Sequence, residues 1–348
     1  MITAGITQGR NGGVALIQDD RLVLHSEVRQ LDNNPRHAAL DDLDLVPRLL
    51  GEHDVADVDG WAAVCDDDAA ELRIAGRSLP CTGYPRGAAL AAAAYCLFGE
   101  AAAYDRYRVD ALGRIVLTDE PPGDTAWVPP LPEDTCAAIG VAALHAFRDT
   151  GLRPLQWRTQ LGPELVRHAH VPDGWRVSPC RPEELARLLA RTGRPAVVLH
   201  GRAKPGFSSL GSRCALIPVV EPLSKPAAAA ICVAAEAAAV FEPGTADPYA
   251  LLDHRVRPQW AQRIPGLEPT VRVQTVSMQE DRTLATLLDE YRKWTGGVPV
   301  LGITDAHFDG CGPFPDAASA MRWGVFDVVW ADNVLYRRAE GRSDRGSR

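Results

Sequence analysis

Apolar residues in this chain form short runs that alternate with polar, glycine-containing turns. Near the start, residues 2–7, 14–18 and 22–27 predict three strands joined by tight turns. The spacing of leucine and valine over 41–53 predicts an amphipathic helix. Residues 58–64 predict a further strand, so the chain opens with a small sheet and a helix.

The same alternation of strands and helices continues to the end of the chain. Two alanine-rich segments, 88–94 and 227–239, predict helices, although the alanines that open the second also suit a strand. Further strands are predicted at 109–117 (a pair), 196–199, 215–220, 270–276, 298–303 and 333–337. Further helices are predicted at 137–147, within 165–194, at 284–294 and at 316–323, the last capped by Asp316. This order of elements predicts an α/β fold.

Length and composition indicate a folded, two-domain protein. The 348 residues suffice for two domains, which we place at 1–155 and 156–340, followed by a disordered tail at 341–348. The hydrophobic fraction of 46% and the charged fraction of 24% are typical of a globular chain.

The net charge and the lengths of the apolar runs argue against nucleic acid and membrane as partners. The net charge of −8 argues against a nucleic-acid partner, and no apolar run reaches the roughly 20 residues that span a membrane. The start MITAGITQG lacks the basic region of an export signal. The eight cysteines contain no CxxC pair, which indicates reduced thiols in a cytoplasmic protein.

The segment 195–222 carries the strongest chemical pattern. Two apolar runs flank a loop that contains Gly201, Arg202, Gly206 and Gly211. Backbone N–H groups and arginines of such a loop can hold an anion, although most glycine-rich connections between strands are only turns.

Three segments together resemble a known family. The segment GRAKPGFSSLGSRCAL at 201–216 is similar to GRMEFGPRALGNRSIL, LGP at 161–163 repeats a family tripeptide, and TVRVQTV at 270–276 is similar to the end of DGTARVQTV. By these motifs the chain is identified as a shortened, divergent member of the O-carbamoyltransferases of the NodU, CmcH and tobramycin type. The resemblance implies a shortened actin-like (ASKHA) lobe followed by a YrdC-like α/β lobe.

The resemblance also implies a two-step reaction. The C-terminal lobe would join carbamoyl phosphate and ATP into carbamoyl adenylate, and the N-terminal lobe would pass the carbamoyl group to a small acceptor. The alternation in 270–276 places Arg272, Gln274 and Val276 on one face of a strand, which would direct Arg272 at the bound anion. The expected nucleotide- and phosphate-binding residues are Arg202, Lys204, Gly206, Ser208, Gly211, Arg213, Lys225 and Arg272.

The family's metal site is only partly represented. Two histidines one helical turn apart and an aspartate hold the metal in the family, and their positions here are Arg86, Leu90 and Asp134. Arg and Leu side chains supply no ligand atom, so a divalent metal lacks two of its three expected ligands. Asp134 is a candidate catalytic residue, with a helix N-cap as the alternative.

Other candidate groups have structural alternatives. Asp305, His307 and Asp309 share a face if their segment is extended, which would suit a metal or catalysis, whereas a turn would make Asp305 a cap and place Asp309 in a β-turn. Near the start, a family element aligns with Glu27, Arg29 and His37, which would otherwise be solvated loop groups. We interpret His168 and His170 as a solvated pair.

These observations favour a carbamoyltransferase-type enzyme of natural-product metabolism. It would use ATP and carbamoyl phosphate and act on a hydroxyl or amine of a small molecule. The alternatives are a non-catalytic relative that binds a partner enzyme, and a metal-independent transfer of a different group. A homodimer or a partner biosynthetic enzyme would be the protein partner, with neither nucleic acid nor membrane involved.

Overall fold

A computed structural model describes residues 1–65, 69–98, 103–104, 107–109, 115–117, 136–167, 170–204, 211–250 and 252–339. The chain divides into two compact units, each assembled from separate segments. Unit 1 contains 1–164, 202–208 and 309–312, and unit 2 contains 165–201, 209–308 and 313–348.

Unit 1 is built on a six-stranded mixed sheet in the order β3-β2-β1-β4-β6-β5. Its strands are β1 Ile2–Thr7, β2 Gly13–Gln18, β3 Arg21–Glu27, β4 Gly60–Val64, β5 Ala69–Ile74 and β6 Arg77–Tyr84. The three N-terminal strands are antiparallel, as the alternation predicts, and β4 pairs in parallel with β1. The β5–β6 hairpin was not predicted.

Two of the helices described in unit 1, the second and the third, pack closely because they are rich in alanine and glycine. The described helices are α1 Val46–Leu50, α2 Arg86–Phe98 and α3 Ala137–Ala146. A Cβ at Gly140 would lie 1.7 Å from the carbonyl oxygen of Ala89, so α2 and α3 touch backbone to backbone. The helix predicted over 41–53 is shorter, because residues 43–45 form a 3-10 turn before α1.

Three short strands complete the described part of unit 1. They are β7 Ala103–Tyr104, β8 Tyr107–Val109 and β9 Ile115–Leu117, which form an antiparallel sheet. The strand pair predicted over 109–117 is confirmed by the pairing of β8 with β9.

Unit 2 is built on a ten-stranded mixed sheet in the order β10-β19-β18-β11-β12-β17-β13-β16-β15-β14. Its strands are β10 Trp175–Pro179, β11 Ala196–Leu199, β12 Arg213–Ile217, β13 Ala227–Val233, β14 Phe241–Glu242, β15 Asp253–Val256, β16 Leu267–Val276, β17 Val300–Asp305, β18 Val328–Ala331 and β19 Val334–Arg338. Strands β11 and β12 pair antiparallel, which confirms the predicted strand, loop and strand at 195–222.

Five helices belong to the described part of unit 2. They are α4 Pro182–Thr192, α5 Ala234–Val240, α6 Pro258–Ala261, α7 Arg282–Trp294 and α8 Ala317–Trp323. The N-cap predicted for α8 is confirmed, since Asp316 accepts a hydrogen bond from Ser319 N. The helix predicted over 227–239 was wrong for its first half, because β13 lies inside the sheet between β16 and β17, where small side chains suit a buried strand.

The structure also bears on membrane spanning and on the state of the cysteines. Within the described ranges, no helix is both long and apolar enough to cross a bilayer. All eight cysteines are free thiols, and six of them are buried.

Candidate functional site

Arg213 binds backbone carbonyl oxygens of unit 2 on either side of the glycine-rich loop. This residue opens β12, and its side chain is buried. Nη1 donates to the carbonyl oxygens of His200 at 2.6 Å and Ser212 at 2.8 Å, and Nη2 donates to that of Gly201 at 2.8 Å. Burial lowers the pKa of Arg213 to about 10, so the guanidinium stays charged at neutral pH. Arg213 therefore holds together the backbone on the two sides of the loop by donating to these three carbonyl oxygens.

Two of the sequence motifs meet at Gly211. This glycine has a φ of +79°, and a Cβ placed there would lie 2.5 Å from Leu284 Cδ1 and 3.3 Å from Gln274 Oε1. Gln274 belongs to the VRVQTV strand and is buried. A left-handed glycine is thus required for the loop to approach β16 and α7.

A buried histidine and a buried aspartate lie at the start of this loop. His200 follows β11, and its Nε2 lies 3.4 Å from Asp281 Oδ2, both side chains being at most 4% exposed. Asp281 also caps α7, with its Oδ1 accepting from Leu284 N at 3.1 Å. The sequence analysis missed this pair. The available signals were a histidine directly before the Gly201-Arg202 motif and an aspartate at a helix start.

The remaining expected cations of unit 2 do not join Arg213. Arg272 is 67% exposed, and its Nε lies 3.9 Å from Asp253 Oδ1. Strands β12 and β16 are separated in the sheet by β17 and β13. Lys225 is exposed just before β13. Of the 270–276 motif, Gln274 lies at the loop and Arg272 lies at the surface.

In unit 1, the LGP tripeptide pairs with the residues that follow Gly201. Gly162 N donates to Ala203 O at 2.8 Å, and Ala203 N donates to Pro163 O at 2.9 Å. Arg202 Nε donates to Gly162 O at 2.9 Å, and its Nη1 lies 3.5 Å from Glu52 Oε1. The Arg202 side chain is 23% exposed. These contacts join the LGP tripeptide to the residues after Gly201 within unit 1.

Lys204 is buried next to this pairing. Its carbonyl oxygen accepts from Gln30 Nε2 at 3.0 Å, and Gln30 Oε1 accepts from Glu27 N at 3.0 Å. A Cβ at Gly162 would lie 2.9 Å from Gln30 Oε1. The N-terminal Glu27–Gln30 turn and the Arg202–Lys204 segment therefore form one polar cluster.

An ion pair is buried within that turn. Arg29 Nε and Nη2 donate to Glu27 Oε2 at 2.8 and 2.7 Å, and both side chains are at most 2% exposed. Glu27 Oε1 is buried and has no hydrogen-bond partner in the part of the chain that the structure describes. Gly312 packs on the carbonyl of Arg29, where a Cβ would lie 2.0 Å from the oxygen. Glu27 and Arg29 are therefore not solvated groups, and His37 Nδ1 lies 2.9 Å from Asn11 Oδ1.

The segment 305–309 contains a turn. Asp305 ends β17, His307 Nδ1 lies 2.7 Å from Phe308 O, and Asp309 precedes Gly310, whose φ is +71°. Asp305 and His307 belong to unit 2, whereas Asp309 belongs to unit 1. Among the described residues, no three His, Cys, Asp or Glu side chains are grouped as a metal site.

The two positions at which the family has metal-binding histidines lie on one helix. Arg86 opens α2 and Leu90 lies one turn later, buried in the core. Three candidate site residues, Asp134, Gly206 and Ser208, lie outside the described residues, as does His168. Helix α3 has Cys136 at its N-cap position.

Curated relatives of this chain share one name. Nodulation protein U of Rhizobium tropici is 40% identical over 230 residues, which cover 62% of this chain and 40% of that protein. Nodulation protein U of Sinorhizobium fredii is 38% identical over 230 residues, covering 62% of this chain and 41% of the relative. That of Azorhizobium caulinodans is 41% identical over 226 residues, covering 60% and 40%. No protein-family model matches the chain.

The similarity confirms the relationship that the motifs indicate, over a limited length. The chain spans about 40% of the length of the curated relatives that it matches. By sequence, the chain is similar to Nodulation protein U at 36–41% identity over this part of its length.

Proposed function

We propose that this chain is a cytoplasmic carbamoyltransferase-type enzyme of natural-product metabolism. The observation that carries this proposal is the 36–41% identity to Nodulation protein U over about 230 residues. The motif resemblance to O-carbamoyltransferases supplies the reaction class. The transferred group would pass from carbamoyl phosphate, through an ATP-derived adenylate, to a hydroxyl or amine of a small acceptor.

The two units suit the two proposed lobes. The antiparallel β1–β2–β3 arrangement with parallel β4 beside β1 supports a shortened actin-like lobe in unit 1. The ten-stranded mixed sheet of unit 2 supports the YrdC-like lobe. We keep the proposed boundary near residue 155, and the LGP segment after it completes unit 1 through its pairing with Ala203.

The residues around Gly201 fit an anion such as ATP through their charge. Arg213 supplies a buried positive charge at the start of β12 in unit 2, and Arg202, which follows Gly201 in the sequence, is partly exposed in unit 1. ATP would supply the adenylyl group when bound. In this proposal Arg202 contacts phosphate, Arg213 positions the loop, and the buried His200–Asp281 pair orients the His200 backbone.

The described residues do not fit the family's metal. Arg86 and Leu90 occupy the histidine positions and offer no ligand atom, and the described chain groups no three ligands. The proposed reaction therefore assigns no role to a metal.

The proposal is tested by isotope exchange between ATP and pyrophosphate. Exchange that requires carbamoyl phosphate is expected for the full chain and should fall sharply in Arg202→Gln. Arg255→Gln, an exposed change on β15, is the matched control and should leave exchange unchanged. Exchange that requires a different acid would contradict carbamoyl transfer and support transfer of another group.

A non-catalytic relative is the second candidate function. It is favoured by Arg86 and Leu90 at the ligand positions and by the 40% coverage of the relatives. In this case the chain would act as a binding partner of a longer enzyme. Calorimetry would then show no ATP binding, and the isotope assay would show no exchange. A partner enzyme would co-elute with the chain.

A further inference from the structure

One end of the unit 2 sheet carries a concave surface lined by arginines. The cavity has a volume of about 670 Å³, which is within the range of small-molecule sites. It lies where edge strand β10, strand β19 and the end of helix α4 meet. Its lining residues include Arg176, Arg194, Arg337 and Arg338.

Two of these arginines are placed directly opposite each other. Arg176 on β10 is the antiparallel partner of Arg337 on β19, so both side chains leave the same face of the sheet. Like charges directly opposite on neighbouring strands destabilise a sheet. The arrangement is therefore a cost to the fold unless an anion lies between the two guanidinium groups.

The nearby carboxylate leaves these charges uncompensated. Asp327 lies 3.6 Å from Arg338, whose guanidinium also stacks over Trp175 at 5.2 Å. Within the described parts of the chain, Arg176, Arg194 and Arg337 have no ion-pair partner. All three are exposed at the surface. This concentration of positive charge occurs in a chain whose net charge is −8.

The cavity also has an apolar wall. Leu188 on α4 and Val328 on β18 line it, and Val328 is the cross-strand partner of Arg337. Guanidinium groups bind phosphate through paired N–H donors, and the apolar wall provides contact for carbon atoms. Three guanidinium groups around one cavity match more than one phosphate.

We propose that the cavity between β10, β19 and α4 is a binding site for a small organic anion with two or more phosphate groups. Arg176 and Arg337 contact one phosphate between them, and Arg194 contacts another. This site uses none of the residues assigned to the carbamoyl-transfer chemistry. It stands whether or not that function is correct.

Calorimetric titration of the full chain with inorganic tripolyphosphate at low salt tests the proposal. Binding is expected, and it should weaken at least about tenfold in R176Q/R337Q and with added salt. The control R73Q/R77Q removes two exposed arginines of the β5–β6 hairpin and should bind as the unchanged protein does. In R202Q the binding event that depends on Arg176 and Arg337 should persist, and any second event at the proposed ATP site should be lost, which separates the two sites.

Several outcomes would overturn the proposal. They are absence of tripolyphosphate binding, equal weakening in R73Q/R77Q, or orthophosphate binding as tightly as tripolyphosphate. A single-stranded oligonucleotide that binds more tightly and is lost in R176Q/R337Q would overturn the small-molecule class. Without ligand, R176Q/R337Q should melt slightly higher than the unchanged protein, because the like-charge pair is removed. A lower melting temperature would show that the arginines serve the fold.

Discussion

Arg213 Nη2 donates a 2.8 Å hydrogen bond to the carbonyl oxygen of Gly201, twelve residues earlier in the chain. The residue that the family motif marks as a cation thus binds backbone carbonyls at both ends of a glycine-rich loop. Its donors hold together the backbone of residues 200, 201 and 212, on either side of the loop. This relationship separates a positioning role for Arg213 from direct contact with a ligand.

Replacing Arg213 should therefore lower the free energy of unfolding of the protein. Arg213→Met removes three hydrogen bonds to backbone carbonyl oxygens, and we expect a loss of about 2–4 kcal/mol in the free energy of unfolding. Urea denaturation followed by circular dichroism measures the change. Arg272→Gln is the control, since this exposed side chain should change stability by less than about 0.5 kcal/mol. Equal effects of the two changes would contradict the positioning role.

Gly211 should tolerate no side chain. Gly211→Ala must adopt a φ of +79° and also displace Leu284 Cδ1, so we expect a loss of about 2–4 kcal/mol. Gly76→Ala is the matched control because Gly76 has a φ of +73° with open space around it, and it should cost about 1 kcal/mol. The difference between the two unfolding free energies measures the packing of the loop. A similar loss for both would show that only the backbone angle matters.

The Glu27–Arg29 pair should be strongly coupled. Glu27→Met leaves a buried guanidinium without its carboxylate, which costs about 3–5 kcal/mol, and the double change E27M/R29M should restore part of that loss. A double-mutant cycle by urea denaturation measures the coupling. The exposed Arg48–Asp32 pair serves as the control and should show less than about 1 kcal/mol. Additive effects at Glu27 and Arg29 would argue against the pair.

His145 should make stability depend on pH. Burial, and to a lesser extent the nearby Arg148, lowers the pKa of His145 below the ordinary value of a histidine. The unfolded chain therefore takes up a proton on this residue at a higher pH than the folded chain, so stability falls as pH drops below about 6.5. His145→Gln should flatten this part of the profile of unfolding free energy against pH. An unchanged slope would assign the pH dependence to other groups.

Cysteine reactivity should follow burial. Burial raises the pKa of Cys96 and Cys232 to about 12, so their thiolate fractions at pH 8 are very small. Iodoacetamide labelling of the folded protein, read by mass spectrometry, should modify the partly exposed Cys65 and Cys311 first. In denaturant all eight thiols should react at similar rates. Early labelling of Cys232 in the folded state would contradict the buried strand β13.

The local pattern of the sequence determined many of the secondary-structure elements, and its motifs indicated the similarity to Nodulation protein U. Two-residue alternation identified the first three strands, and leucine spacing identified α4 and α7, because these periods depend on which face of an element is buried. Short motifs with fixed glycines and arginines sufficed to indicate the relationship to Nodulation protein U.

Only the tertiary structure decided what those motif residues do. Arg213 is buried and Arg272 lies at the surface, and the position of β13 between two strands made the first part of an alanine run a strand. The tertiary structure also brought residues 202–208 and 309–312 into unit 1 and set Arg176 opposite Arg337. The physical reason is that burial, ion pairing and strand register depend on contacts between residues far apart in the chain, which local periodicity does not encode.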